Sequence, residues 1–89
     1  MKAVISVIGC DQVGILAKVS NECENANINV IEVTQTLLQD MFAMIMLVDI
    51  DHSKYELAEF ADLMEEKGKR MGMVIHVMHQ DIFHAMHRI

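Results

Sequence analysis

Residues 4–16, VISVIGCDQVGIL, decide the fold of this 89-residue chain. The apolar first half predicts a β-strand, the polar centre predicts a tight loop, and Ile15 and Leu16 begin a helical pattern. Backbone N–H groups at a helix N-terminus favour an anion, and Asp11 adds a carboxylate at the same place. The stretch therefore predicts a strand, a loop and a helix, with a site for a small ligand that carries both charges.

The composition points to one globular domain. The chain is 53% hydrophobic and contains neither proline nor tryptophan, which excludes a disordered or collagen-like protein. Thirteen acidic against seven basic residues give a net charge of -6. Because this surface repels phosphates, we expect no nucleic-acid partner.

The start of the sequence and its cysteines bear on the compartment. A strand pattern follows Met1 directly, and no apolar span reaches the roughly 18 residues of a membrane helix, so we expect a cytoplasmic protein with no membrane partner. Cys10 and Cys23 lack a C-x-x-C spacing. Reduced thiols are therefore the expectation.

Hydrophobic periodicity predicts the order strand, helix, strand, strand, helix, strand and a short last helix. The predicted bounds are a strand at 2–9, a helix from 13 to about 27, strands at 28–38 and 41–50, a helix from 53, a strand at 73–79 and a helix at 81–89. Asp11 is the expected N-cap of the first helix, with Gly14 in its first turn, and a capping box from Ser53 to Glu56 begins the second helix. Gly68 or Gly72 is expected to end that helix.

This order predicts an α+β, ferredoxin-like βαββαβ sandwich. Right-handed crossovers place both helices on one face of a four-stranded antiparallel sheet, with the first and third strands in the middle. Polar residues interrupt the strand at 28–38, which is typical of an edge strand. Gln39 and Asp40 are expected to form the hairpin turn that follows it.

The uncovered sheet face predicts self-association. Both faces of the first and third strands are apolar, and an apolar patch of this kind usually marks an interface. We therefore expect a homodimer joined through sheet edges or open faces. The C-terminal helix, with Ile82, Phe83, Met86 and Ile89 on one face, is expected to pack down and help to cover the sheet.

The sequence contains no recognisable catalytic constellation. It has no nucleophile elbow, no G-x-G-x-x-G, no Walker loop and no H-E-x-x-H. We expect a protein that is not an enzyme and that carries no cofactor.

The loop motif and a distant asparagine carry a family resemblance. Asp11, Gly14 and Ile15 match a D-x-x-G-[IVL] loop, and Asn29-Val30 matches an N-[IV] pair that opens the second strand. The pattern resembles the ACT domain, the small-molecule regulatory module of amino acid metabolism. The resemblance implies an ACT domain at residues 1–80 and a short C-terminal helical extension at 81–89. With this extension, DIFHAMHRI, the chain resembles in particular the small stand-alone ACT proteins of bacteria and archaea, which are similar to the modules of the glycine-cleavage regulator.

The resemblance implies a regulatory homodimer that binds an amino acid or related metabolite between its subunits and acts through a protein partner. Asp11 would accept the α-ammonium, Asn29 would bridge to the α-carboxylate, and backbone N–H groups of residues 12–14 would hold that carboxylate. Gly9 stands where some serine-binding members have a histidine, so that contact, and serine as the ligand, are not implied. The implied ligand-binding residues are Cys10, Asp11, Gln12, Val13, Gly14, Ile15 and Asn29.

Two alternatives remain open from the residues themselves. In the first, Asp11 and Asn29 only cap local structure, Gly14 only permits close packing, and the chain is a ligand-free dimerisation module. In the second, the histidine-rich end binds a metal such as zinc, nickel or copper, with His79, His84 and His87 as ligands. Met44, Met46, Met64 and Met73 are expected to fill the core.

Overall fold

A computed structural model describes residues 1–10 and 14–86, with only the backbone at Leu38. It contains four strands and three helices in the predicted order. The strands are β1 (Lys2–Cys10), β2 (Asn29–Leu38), β3 (Met41–Asp49) and β4 (Met73–His79), and the helices are α1 (Ile15–Asn25), α2 (Leu57–Met71) and α3 (Gln80–Met86).

The four strands form one antiparallel sheet in the order β2-β3-β1-β4. The central position of β1 and β3 and the edge position of β2 are confirmed. A two-residue turn at Gln39 and Asp40 joins β2 to β3, and Gln39 adopts a positive φ of 57°. The predicted α+β, ferredoxin-like fold with an added C-terminal helix is therefore confirmed.

Alternate residues of β1 face the core between the sheet and the two long helices. Ala3, Ile5 and Val7 are fully buried on this side, because α1 and α2 lie across it. The predicted core methionines, Met44, Met46, Met64 and Met73, are 0–2% exposed. Flexible thioether side chains fill irregular space, which suits a thin core built from few aromatic residues.

Helix α2 begins later than the sequence predicts. Its N-cap is Glu56, which forms a capping box with Glu59, whose carboxylate accepts a hydrogen bond from the Glu56 backbone N–H at 3.3 Å. The predicted start at Ser53 is wrong, because the Ser53 hydroxyl instead accepts a hydrogen bond from the Tyr55 backbone N–H at 3.0 Å in a local turn. The helix ends at Gly72, whose φ of 73° provides the left-handed cap.

Helix α3 contacts β1 and β4. Val4 of β1 alternates with the core-facing residues and lies outside the main core, yet it is only 4% exposed, so α3 covers the sheet face opposite the long helices. Gln80 and Phe83, three residues apart, are half-buried, whereas Ile82 and Met86 are 54% and 65% exposed. The expected packing of Ile82 and Met86 is therefore wrong. The helix face that carries Gln80 and Phe83 lies against the sheet, so Ile82 and Met86 point toward solvent. Ile89 lies outside the described residues.

No helix in the described ranges is long and apolar enough to cross a membrane.

Candidate functional site

Gly14 links the loop after β1 to the first turn of α1. It is the N-cap of α1, with φ 81° and ψ 9°, a left-handed conformation that other L-residues rarely adopt. A Cβ at this position would meet no atom within 4 Å, so glycine is required by backbone conformation and not by space. The prediction that Asp11 caps the helix, with Gly14 inside its first turn, is therefore wrong.

The residues that flank this loop have different environments. Cys10 is exposed at the end of β1. The Ile15 side chain is 3% exposed and belongs to the core, so it is not available to a ligand. Asp11, Gln12 and Val13, which complete the predicted ligand loop, lie outside the described residues.

Asn29 lies at the opposite end of the sheet from this loop. It pairs with Asp49, and Asp49 pairs with Lys2 at the start of β1. Cys10 is eight residues further along β1, a separation of about 27 Å at 3.4 Å per residue. One chain therefore does not bring Asn29 and the Gly14 turn together.

Asn29 instead lines a cleft of about 370 Å³ at the C-terminal end of α1. The cleft is lined by Ser20, Glu24, Asn27, Ile28, Asn29, Val30 and His52. The Asn27 amide donates a hydrogen bond to the His52 backbone carbonyl at 2.9 Å, which fixes the loop after β3 against the end of α1. Sequence reasoning missed this cleft, although an asparagine just after a helix is a signal for a left-handed cap, and Asn27 has a φ of 61°.

A second cleft, of about 350 Å³, separates α1 from α2. It is lined by Lys18, Asn21, Glu22, Lys67, Arg70 and Met71. Lys67 forms an ion pair with Glu22, and Arg70 lies 3.6 Å from the Glu66 carboxylate. The Lys67–Glu22 pair joins α2 to α1 across this cleft, whereas the Arg70–Glu66 pair lies within α2.

The two thiols differ in accessibility. Burial, and secondarily the Glu22 charge, raises the pKa of the Cys23 thiol to about 11. Because the thiolate is the reactive form, Cys23 is chemically inert in the folded protein. Cys10 is exposed.

His79 and His84, the two C-terminal histidines of the metal alternative that the structure describes, have separate environments. The His79 ring nitrogen Nδ1 accepts a hydrogen bond from the Asp81 backbone N–H at 3.0 Å, and His84 is exposed on α3. Across residues 1–10 and 14–86, no three His, Cys, Asp or Glu side chains converge as metal ligands. His87, the third residue of the metal alternative, lies outside the described residues.

Comparison with known proteins identifies the family. Residues 2–78 match the family model of the ACT domain. The chain belongs to the ACT domain family. This ACT domain is 40% identical over 87 residues to a UPF0237 protein of Pyrobaculum aerophilum, a match that covers 98% of this chain and 97% of that protein. The resemblance to small stand-alone ACT proteins is thus confirmed.

Solved structures share the fold of this ACT domain. An ACT domain protein from Streptococcus pneumoniae superposes with a TM-score of 0.82 at 30% identity, covering 93% of each chain. A putative glycine cleavage system transcriptional repressor gives a TM-score of 0.73 at 20% identity, covering 85% of this chain and 43% of that one, and this likeness is one of fold alone. The ACT domain family is one of regulatory modules.

Proposed function

We propose that this ACT domain is a cytoplasmic regulatory protein that binds a small amino acid between two copies of itself and signals through a protein partner. The observation that carries the proposal is the separation of Asn29 from the Gly14 turn within one chain. If both parts of the family motif serve one ligand, they must come from different copies.

The exposed edge of β2 supplies a way to bring them together. An edge strand offers unpaired N–H and C=O groups, and two copies related by a two-fold axis can pair such strands antiparallel. Centred pairing of two β2 strands sets Asn29 of the partner subunit opposite Leu38, which is aligned with Met41 and Cys10 of the first copy. The remaining separation from Cys10 is three strand spacings, about 14 Å, instead of about 27 Å.

An amino acid fits the chemistry of such a shared site. The N-terminal N–H groups of α1, reached through the Gly14 turn, favour its carboxylate. Asp11 would accept hydrogen bonds from its ammonium group, and the amide of Asn29 from the partner subunit can both donate and accept. A ligand held by both copies stabilises the dimer and shifts any equilibrium that is linked to the dimer.

A thermal-shift panel of the twenty amino acids tests the proposal. We expect at least one amino acid to raise the melting temperature of the wild type by several degrees, since ligand at 100 times its Kd adds about 2.7 kcal/mol. Asp11→Ala and Asn29→Ala should each lose this response. Glu24→Gln is the matched control, because Glu24 lines the cleft around Asn29 within its own chain but takes no part in the shared site.

Mixing the two inactive variants tests whether the site is shared. After unfolding and refolding together, each mixed dimer of Asp11→Ala and Asn29→Ala chains holds one intact site, so calorimetry should recover part of the wild-type binding. A site within one chain would stay inactive in every mixture. If no amino acid shifts the wild type, the ligand proposal is wrong and the dimerisation-module alternative is favoured.

A further inference from the structure

Positive charge is concentrated in the cleft between α1 and α2, called here the helix cleft. Among the described residues, it is lined by Lys18, Asn21, Glu22, Lys67, Arg70 and Met71. Three of these six side chains are cations and one is a carboxylate, in a chain with thirteen acidic and seven basic residues. The helix cleft is therefore a local positive site on a protein whose net charge is -6.

The two helices run in opposite directions along the helix cleft. Helix α1 begins at Ile15, soon after the Cys10 end of β1. Helix α2 ends at Met71, just before Met73, which pairs with Gly9 near that same end of β1. The start of α1 and the end of α2 therefore lie at one end of the sheet.

This arrangement brings Lys18 and Arg70 to the same part of the helix cleft. Glu22 and Lys67 form the ion pair that joins the two helices. Lys18 lies one turn from Glu22 toward the start of α1, and Arg70 lies about one turn from Lys67 toward the end of α2. Because residues three and four apart share a helix face, the two cations flank the cleft on the same side of this ion pair.

Both of these cations are available to a bound anion. Within the described part of the chain, the exposed Lys18 side chain forms no ion pair. Arg70 lies 3.6 Å from the Glu66 carboxylate, but both side chains are exposed, and such a pair within one helix contributes little. The amide of Asn21 adds N–H donors beside them. The helix cleft thus offers two cations and an amide to one ligand.

We propose that the helix cleft binds a phosphate group, as free phosphate or as the phosphate monoester of a small molecule. The Arg70 guanidinium presents a planar fork of N–H donors and the Lys18 ammonium a point charge, and both groups suit phosphate oxygens. A phosphate monoester carries a charge of about -1.5 to -2 at neutral pH, which two cations balance. A zwitterionic amino acid has no such net charge.

The size and lining of the helix cleft agree with a small ligand. Its volume of about 350 Å³ is within the range of small-molecule sites, roughly 300–1,000 Å³. Met71 provides an apolar wall for the carbon part of an organic phosphate. None of the lining residues belongs to the proposed amino acid site, so the two sites can be tested separately.

Titration calorimetry of the full chain tests this site with inorganic phosphate and phenyl phosphate as probes. The buffer contains no amino acid, and chloride holds the ionic strength constant. Lys18→Gln and Arg70→Gln should each raise the Kd about tenfold, since each removes a hydrogen bond to a charged group. Lys69→Gln is the matched control, because it removes an equal charge from the same turn of α2 at an exposed residue that does not line the cleft. Its Kd should change less than about twofold, because salt screens exposed charges.

Glu22→Gln should give a change of the opposite sign. Glu22 is the one acidic side chain among the described lining residues, and it is paired with Lys67. Its replacement removes repulsion of the anion and frees Lys67 to bind it, so the Kd should fall about fivefold. Loss of a merely structural ion pair would not tighten phosphate binding. Circular dichroism checks that each variant keeps the fold.

Each result supports or overturns the site. If neither probe binds the wild type at millimolar concentrations, the inference is wrong and the amino acid proposal stands unaffected. Equal weakening by Arg70→Gln and Lys69→Gln, or weaker binding by Glu22→Gln, would also overturn it. Tighter binding of phenyl phosphate than of inorganic phosphate would support a phosphate monoester as the ligand, whereas equal or weaker binding would support free phosphate.

Discussion

Replacing Gly14 with alanine tests the turn that begins α1. At a φ of 81° an alanine in the left-handed region costs about 1–2 kcal/mol, and no atom within 4 Å of the new Cβ adds a clash. Alanine also reduces the conformational entropy of the unfolded chain, which offsets about 0.4–1 kcal/mol of this cost. We therefore expect Gly14→Ala to lower the free energy of unfolding by about 1 kcal/mol.

Thermal and urea unfolding measure this loss at one fixed protein concentration, since self-association changes apparent stability. For a chain of this size, about 1 kcal/mol corresponds to a fall of roughly 4–8 °C in the melting temperature. Gly14→Asn is the matched control, because asparagine occupies the left-handed region more readily, and its loss should be smaller. Equal stability of Gly14→Ala and the wild type, or a greater loss for Gly14→Asn, would refute the left-handed cap.

Two further predictions concern the core. A Cβ at Gly68 would lie 2.8 Å from the Ile75 Cγ1 and 3.0 Å from the Met73 carbonyl oxygen, so Gly68→Val should lower the free energy of unfolding by about 2 kcal/mol. A more stable variant in urea unfolding would contradict this close approach of α2 to β4. The pKa of the Cys23 thiol is about 11 in the folded protein, against 9.0 expected in the unfolded chain. As the pH rises from 9 to 11, the thiol therefore loses its proton in the unfolded state first, which favours unfolding. Over this range the free energy of unfolding of the wild type should fall relative to that of Cys23→Ala. A difference that stays constant with pH over this range would contradict the burial of the thiol.

Local side-chain chemistry made most of the fold predictable from the sequence. The predicted strand at 73–79 matches β4 residue for residue, because apolar and β-branched residues fill it and glycine precedes it. The start of α2 was predicted wrongly for an equally local reason. Ser53 and Glu56 have the spacing of a capping box, but Glu56 and Glu59 have the same spacing, and the structure uses the second pair.

The candidate site was less predictable because the distance between its parts depends on strand register. Gly14 was identified from the loop motif, but its role as a left-handed cap follows from a φ value that the sequence does not contain. Asn29 carries the right chemistry, but only the pairing of β2 with β3 and of β3 with β1 shows how far it lies from the loop. The proposed completion of the site by a partner subunit would leave no spacing signal within one chain.

The methionines of the core allow local opening of the structure to be measured by their oxidation. Met44, Met46, Met64 and Met73 are 0–2% exposed, whereas Met1, Met41 and Met86 are at least 50% exposed. Peroxide converts accessible methionines to sulfoxides, so the exposed set should oxidise in the native state and the buried set only as fast as the structure opens. Mass spectrometry of the sulfoxides would then measure the opening rate of the sheet side of the core at Met44, Met46 and Met73 and of the α2 side at Met64, without any added label.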